Sequence, residues 1–472
     1  MTVPNPIKAP QTPLEQAHAL FQQKKFAEAI PLYRSLLQQD LNNPLIWANL
    51  GIALRFTGQT PAALINLKRA LELSPDSLGL LKHYIYCLML LNRKEEALQA
   101  FATALRMSGN DFETRSFYAF VLREFDMNEE ALAQYHAGDA LDVEHIWCRT
   151  DIYLRLGRFK EAWKDFEIRW KLGKNYPFWS IADQEKTYPS KRWTGESFKD
   201  KTLFIYEEQG FGDSILCSRF IPLVKARGGR VIFKCRKDLH RLFSAIPGID
   251  LLTDAEKIAE KIDYHVPVMS LPGIFDTEVA AIPPPAVLHI PENQSIEAAR
   301  LLAMGQNRFK VGIVWVGKPI FAGNYKRSAA FARFLPLTGI PGVQLYSLQK
   351  GPAEKELADS AAQALVPELG PHLNDFADTA AVLKSLDLVI MTDSSVVHLA
   401  GSIGCPVWNL ISNCAFWVFL MNREDSPWYP SMRLFRQPEP GDWDSVFEKV
   451  AAELTKAVAL KKAGKWAWSS RT

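Results

Sequence analysis

One spacing governs what the first third of this chain can become. Ala29, Ala63, Ala97 and Ala131 recur every 34 residues, and Ala162 continues the series after a three-residue slip. Around the second of them stand Trp47, Leu50, Gly51, Leu54, Leu67, Ala70 and Pro75. One period back are Ala17, Leu20, Tyr33 and Leu36. One period forward are Leu81, Tyr84, Leu88, Phe101 and Ala104, then Tyr118, Ala119, Leu122, Tyr135 and Gly138, and the slipped unit carries Tyr153 and Phe166. Each unit reads as two antiparallel helices. The recurring alanine lets them approach, and the bulky residue four positions later fills the gap beside it. Units of this kind bury a continuous core only by stacking, and the stack leaves a concave face.

The pattern of large, small and proline positions resembles the tetratricopeptide repeat, with about five units over residues 1–175. Such an array implies a protein or peptide partner on its concave face. Elsewhere composition mainly excludes. A net charge of +3 over 472 residues does not indicate a nucleic-acid binder. No apolar run approaches the ~20 residues of a membrane span. The start, MTVPNPIKAPQTP, has no apolar leader core, so a cytoplasmic protein is expected. Its six cysteines show no C-x-x-C spacing and read as reduced thiols.

Residues 176–200 mix Pro, Gly and aromatics without period and read as a linker, with Trp179 and Trp193 packing between the array and the C-terminal part of the chain. Two α/β halves come next. In the first, 201–290, Thr202–Tyr206 and Val231–Cys235 read as strands. Between them lie a glycine loop with Gln209, Gly210 and Gly212, and a helix from about Asp213. The loop has no third glycine, and Lys234, Arg236 and Lys237 stand where a ribose-binding acid belongs, so a dinucleotide site is disfavoured. Asp213 sits at a strand-to-helix step, where α/β sheets place ligands; capping that helix is its other reading. Ile249–Leu252 and Asp263–Val268 are further short strands, and His265 reads as a core or strand-end histidine. An interdomain connection at 291–309 leads to the second half, 310–460, and a basic tail, 461–472.

That half opens with the strand Lys310–Val316 and a cationic loop carrying Lys318, Lys326 and Arg327, with Ser328 opening a helix. The next strand, Val343–Leu348, ends in Gln349 and Lys350. Residues 387–407, DLVIMTDSSVVHLAGSIGCPV, read as strand, polar turn and helix, with Gly404 as the stop and a strand from Val407. Thr392, Asp393, Ser394 and Ser395 are residues that begin helices, and a helix N-terminus above a sheet edge favours an anion, most often phosphate. Asp442-Trp443-Asp444 has a metal-carboxylate spacing but lies at a helix start, where capping is the better reading.

Two tandem halves after such an array resemble bacterial tetratricopeptide-repeat proteins with a C-terminal GT-B glycosyltransferase domain, similar to heptosyltransferases and related in layout to O-GlcNAc transferases. The motifs are EQGFGD (208–213), DYHVPVMSLP (263–272), VGIVW (311–315), SLQKG (347–351), DFADTAA (375–381), DSSVVHLAGSIGCPVW (393–408) and DSPWYPSMRLFRQ (425–437). The fold class is then α plus α/β, a solenoid followed by a pair of Rossmann-like halves. The resemblance implies Asp213 as catalytic base. It implies Asp393, Ser394, Ser395 and His398 on donor phosphate and sugar, Lys326 or Arg327 on the leaving diphosphate, and Gln349 and Lys350 on the nucleotide. It also implies a nucleotide sugar as substrate, with no cofactor and no metal. Three positions depart from the pattern: Ser394 replaces a threonine, Lys318-Pro319 replaces Asn-Pro, and Ala415-Phe416-Trp417-Val418 replaces Asp-Trp-Arg-Trp. The expected activity is inverting sugar transfer to an acceptor recruited by the repeats. The alternative is an interaction scaffold whose transferase half is degenerate. An epimerase ranks third, since only Asp213 stands out as an acid/base group.

Overall fold

The computed structural model describes residues 12–136, 142–172, 190–317 and 327–466. The chain divides into two compact units, residues 1–140 and 141–472.

The first unit is four helical pairs: α1 (Pro13–Gln22) with α2 (Phe26–Leu37), α3 (Pro44–Phe56) with α4 (Thr60–Leu73), α5 (Leu78–Leu90) with α6 (Lys94–Met107), and α7 (Phe112–Glu124) with α8 (Asn128–His136). The repeated alanines are fully buried. A Cβ at Gly51 would lie 2.7 Å from Leu67 Cγ, so the closest helix crossing needs glycine. The 34-residue period also appears in the backbone. Lys24, Gly58, Asn92 and Asp126 all adopt left-handed φ of 55° to 78° in the turn between the two helices of a pair. Glycine, asparagine and aspartate suit that turn, whereas Lys24 adopts it against its own preference. Side chains of Thr12, Asn43, Ser77 and Asp111 cap the first helix of each pair.

The second unit begins with the fifth pair, α9 (Val143–Arg155) and α10 (Phe159–Phe166), so the pair with the slipped period belongs to the α/β body. The reason is aromatic packing. Trp163 and Phe159 of α10 meet Trp417 at ring-centroid distances of 6.0 and 5.8 Å, and Trp163 Nε1 donates to the Thr277 carbonyl at 2.7 Å.

Two five-stranded, wholly parallel sheets follow. The first comprises β1 (Lys191–Arg192), β2 (Thr202–Tyr206), β3 (Arg230–Lys234), β4 (Leu251–Thr253) and β5 (Tyr264–Pro267), in the order β1-β5-β2-β3-β4. The expected linker therefore already contains a strand at 191–192. Trp193 is fully buried, and among the described residues its ring neighbours are Phe198 and Phe275 of this half; Trp179 lies outside the described residues. The second sheet comprises β6 (Phe309–Val314), β7 (Val343–Ser347), β8 (Leu388–Thr392), β9 (Val407–Ile411) and β10 (Met432–Arg436), in the order β10-β9-β8-β6-β7. Where 291–309 reads as plain connection, Ile296–Ala303 is helical. After Ser328 come two short 3₁₀ turns, Phe331–Arg333 and Leu335–Gly339, in place of the expected helix. The last helix, Trp443–Lys462, extends into the expected tail, and Trp466 packs on Phe309. Asp442 caps that helix through the Ser445 N–H.

In each sheet the strand order reverses beside the first long strand: between β2 and β5 in the first, and between β6 and β8 in the second. Helices leave opposite faces at such a point, and the carboxyl ends of the two strands open a crevice there.

Candidate functional site at the junction of the two halves

At the first reversal β2 runs into Glu207–Gly210, and the helix α11 (Phe211–Cys217) starts. Gln209 is exposed and left-handed, with φ of 65°. Asp213 does not occupy the cap position. It is the third residue of α11, and its Oδ2 accepts the Gly210 N–H at 2.9 Å, closing the helix start on itself. Burial pushes the Asp213 carboxyl up to about 7. The Gly210 hydrogen bond opposes the rise, and the charges of Glu208 and Asp393 add to it.

At the second reversal β8 ends in Thr392, and Asp393 leads to the helix α12 (Ser395–Ser402). Ser394, its cap residue, is extended, makes no side-chain cap bond, and keeps its Oγ buried without a partner. Among the described residues no side chain caps the first turn of α12, which is the arrangement that receives an anion. Asp393 is buried and its carboxyl raised by that burial, opposed by Arg327, whose Nη1 lies 3.4 Å away. Gly317 makes room for this pair, because a Cβ there would lie 2.9 Å from Arg327 Nη2 and 3.1 Å from the Asp393 carbonyl.

The two helix starts meet. A Cβ on Gly212 would lie 2.6 Å from His398 Cδ2 and 3.4 Å from Ser395 Cα, so glycine at 212 sets the approach of one half to the other. Phe211 packs on Phe376 with the rings tilted and their centroids 4.8 Å apart, and Arg241 bridges to Asp375 and Asp378 at 3.3 and 2.9 Å. His398 is enclosed between Tyr429 and Phe419. Its Nδ1 lies 3.0 Å from the Tyr429 hydroxyl, and burial, with Arg219 and Arg327 nearby, pushes it down to about 3. A neutral, walled-in imidazole suits a spacer between halves better than a ligand for phosphate.

Gln349 is likewise committed. Its Oε1 accepts the N–H groups of Trp315 and Val316 at 3.1 and 3.0 Å, and its Nε2 donates to the carbonyls of Val316 and Lys350 at 3.1 and 2.9 Å. Where the sequence suggests a group for the nucleotide edge, the structure places a splint under the end of β6. Lys350 is exposed and its Nζ bonds the Leu373 carbonyl. Lys318 and Lys326 lie outside the described residues. His265 is buried on β5 beside Tyr206.

Two features escape a reading of the sequence. Glu208, inside the EQGFGD motif, is fully buried in a two-pronged ion pair with Arg169, at 2.8 and 3.0 Å. Arg169 also reaches the Phe166 carbonyl, Glu167 and Ser270, so the turn after α10 holds the glycine loop. The departure at 415–418 is a plug. Trp417 is buried on α10 and Trp428. Arg436 binds the carbonyls of Asn413 and Leu420, and Arg155 Nη1 reaches Cys414 Sγ at 2.7 Å. Leu420 ends the plug with φ of 47°, a conformation a bulky side chain rarely takes.

A tetratricopeptide-repeat family model matches residues 14–77 and 49–112. This chain carries tetratricopeptide repeats. Protein FlbA of Caulobacter vibrioides is 26% identical over 463 residues, covering 93% of this chain and 71% of its own length. Among solved structures, a thermophilic tetratricopeptide protein of Thermus thermophilus is 21% identical, covering 33% of this chain and 87% of that one, with a TM-score of 0.28. The ADP-heptose lipopolysaccharide heptosyltransferase II of E. coli is 12% identical, covering 56% of this chain and 99% of that one, with a TM-score of 0.40. No helix among the described residues is long and apolar enough to cross a membrane.

Proposed function

We propose that the α/β unit is an inverting, metal-independent glycosyltransferase, and that the repeats recruit its acceptor, a protein or peptide. The observation that carries this reading is the pairing of unlike helix starts. A carboxyl poised near neutrality at Asp213 stands across the junction from an uncapped helix N-terminus at Ser395, with Arg327 beside it. A base held near working pH can take a proton without being spent beforehand. In the proposed step an acceptor oxygen or nitrogen bonds to the sugar C1, and its proton passes to Asp213. The bond from C1 to the diphosphate oxygen breaks, and the nucleoside diphosphate leaves with that electron pair. The α12 N-terminus and Arg327 stabilise the leaving charge, as fixed dipoles do without reorganising. Acceptor capture by the repeats supplies proximity.

The plug at 415–418 favours a second reading, a scaffold without transfer, since Trp417 occupies that segment with packing and not with acid or base groups. Calorimetric titration of the full chain with UDP, GDP and ADP separates the two. A saturable heat with one nucleotide supports the transferase; flat traces with all three support the scaffold.

A further inference from the structure

The fifth helical pair, α9 and α10, touches both α/β halves. Toward the first half, Trp163 donates to the Thr277 carbonyl and lies over Gly273, where a Cβ would stand 3.5 Å from the ring. Lys160 pairs with Glu278 at 2.7 Å, and Arg169 holds Glu208 and Ser270. Toward the second half, Phe159 meets Trp417 and Trp428 at centroid distances of 5.8 and 6.3 Å. The Arg155 carbonyl accepts the Met421 N–H at 3.0 Å. One residue meets both halves at once. Gly157, left-handed with φ of 72°, turns the chain between α9 and α10. A Cβ there would lie 3.2 Å from Val279 Cγ2 and 3.8 Å from Leu420 Cδ1.

A second fastening crosses the junction beside α11. Arg219 is buried and pairs with no carboxylate among the described residues. It commits its donors to carbonyls instead: Nε to Leu216 at 2.9 Å, Nη1 to Pro283 at 3.0 Å and to Trp428 at 3.1 Å. Leu216 and Pro283 belong to the first half and Trp428 to the second. The guanidinium carbon also lies 5.1 and 5.0 Å from the ring centroids of Trp428 and Tyr429. Moving the halves apart would strip an acceptor from a buried charge, a costly loss.

Two halves joined by a connection rotate about it by default. Rotation needs one edge of the junction free to part. Here α10 sits on Gly273 and Thr277 of the first half and on Trp417 and Trp428 of the second, so opening must break one of the two sets of contacts. Both sets are dry: Phe159, Thr277, Trp417 and Trp428 are each at most 3% exposed. We infer that the fifth pair is a clamp. It fixes the separation of the two halves, and with it the distance from Asp213 to the start of α12, so that ligands reach the junction without the halves opening or closing. The clamp does not depend on whether the α/β unit transfers a sugar.

The test places spin labels, carried on unnatural side chains, at Leu223 in the helix Ile221–Lys225 and at Glu448 in the last helix, both exposed. Pulsed electron resonance then reads their separation in the full chain. One narrow distance is expected. Trp163→Ala should broaden it about twofold, as the freed halves rotate. Val450→Ala truncates the core of the second half away from the clamp, so it should lower the melting temperature and leave the width unchanged. Should Trp163→Ala not fold, Trp163→Phe, which removes the bond to the Thr277 carbonyl and one ring, should broaden the distance by a smaller amount. Two distances in the parent, a shift of more than about 2 Å on adding UDP, GDP or ADP, a parent-like width in the folded Trp163 variant, or equal broadening in Val450→Ala would each overturn the inference.

Discussion

The two α/β halves build the same device and leave it in opposite states. Each brings a strand's carboxyl end to a helix N-terminus at the reversal of its sheet. In the first half Asp213 fills its own helix start, taking the Gly210 N–H. In the second, Ser394 makes no cap bond, and among the described residues no side chain fills the start of α12. One helix end thus holds a carboxylate of its own, and the other is left for an anion from outside. A helix N-terminus alone therefore says little. In the proposed transfer, what occupies it decides whether it acts as a base holder or as a diphosphate seat.

The largest effect should come from emptying the filled side of charge. Asp213→Asn keeps the shape but cannot take a proton, so turnover should fall roughly 10²- to 10⁴-fold. Nucleotide affinity, which the proposed function assigns to the other helix, should hold within about twofold. Parent-like turnover would break the assignment of roles to the two halves.

The next effect concerns how the filled side is held. Arg169→Met leaves Glu208 buried without its partner, at a cost of about 3–5 kcal/mol in urea unfolding. The double variant with Glu208→Gln should recover most of it. No loss in the single variant would mean that the glycine loop does not depend on the turn after α10.

How far the sequence reveals these features depends on the range of each interaction. Asp213 and the α12 start are legible, because strand, turn and helix signals lie within a few residues of one another. Arg169 is not. Its partner lies 39 residues away, and a lone Arg before a linker reads as surface. The departure at 415–418 is visible as a change of residue types, but its meaning depends on Trp163, which sits in a repeat that counts by sequence as part of the array. The splint made by Gln349 is not legible, because a polar residue at a strand end suits a ligand and a backbone splint equally. The contact of His398 with Gly212 is not legible, because it spans the two halves.

Making the open side resemble the filled one should cost less. Ser394→Asp places a carboxylate at the cap of α12, where it can accept first-turn N–H groups and stabilise the helix by about 1 kcal/mol. It also occupies the proposed diphosphate seat, so nucleotide Kd should rise about tenfold, or ~1.4 kcal/mol. An unchanged Kd with a raised melting temperature would show that no phosphate sits at that helix.

The smallest effect tests whether the filled side is strained by its own charge. The folded Asp213 carboxyl keeps its proton up to about 7, whereas an unfolded aspartate releases it near 4. As pH climbs between those values the unfolded chain gains by proton release and the folded one does not, so Asp213 costs stability progressively. The cost is absent below about 4 and complete above about 7. Asparagine at 213 has no such cost. The advantage of Asp213→Asn in unfolding free energy should therefore grow between pH 5 and pH 8. The residue is only partly closed to solvent. The growth should therefore be nearer about 1 kcal/mol than the ~2.7 kcal/mol that two pH units would give in full. An advantage that stays constant with pH would mean the Asp213 carboxyl is ionised throughout. The first half would then hold a permanent anion opposite its open counterpart, and the step that removes the acceptor's proton would need another group.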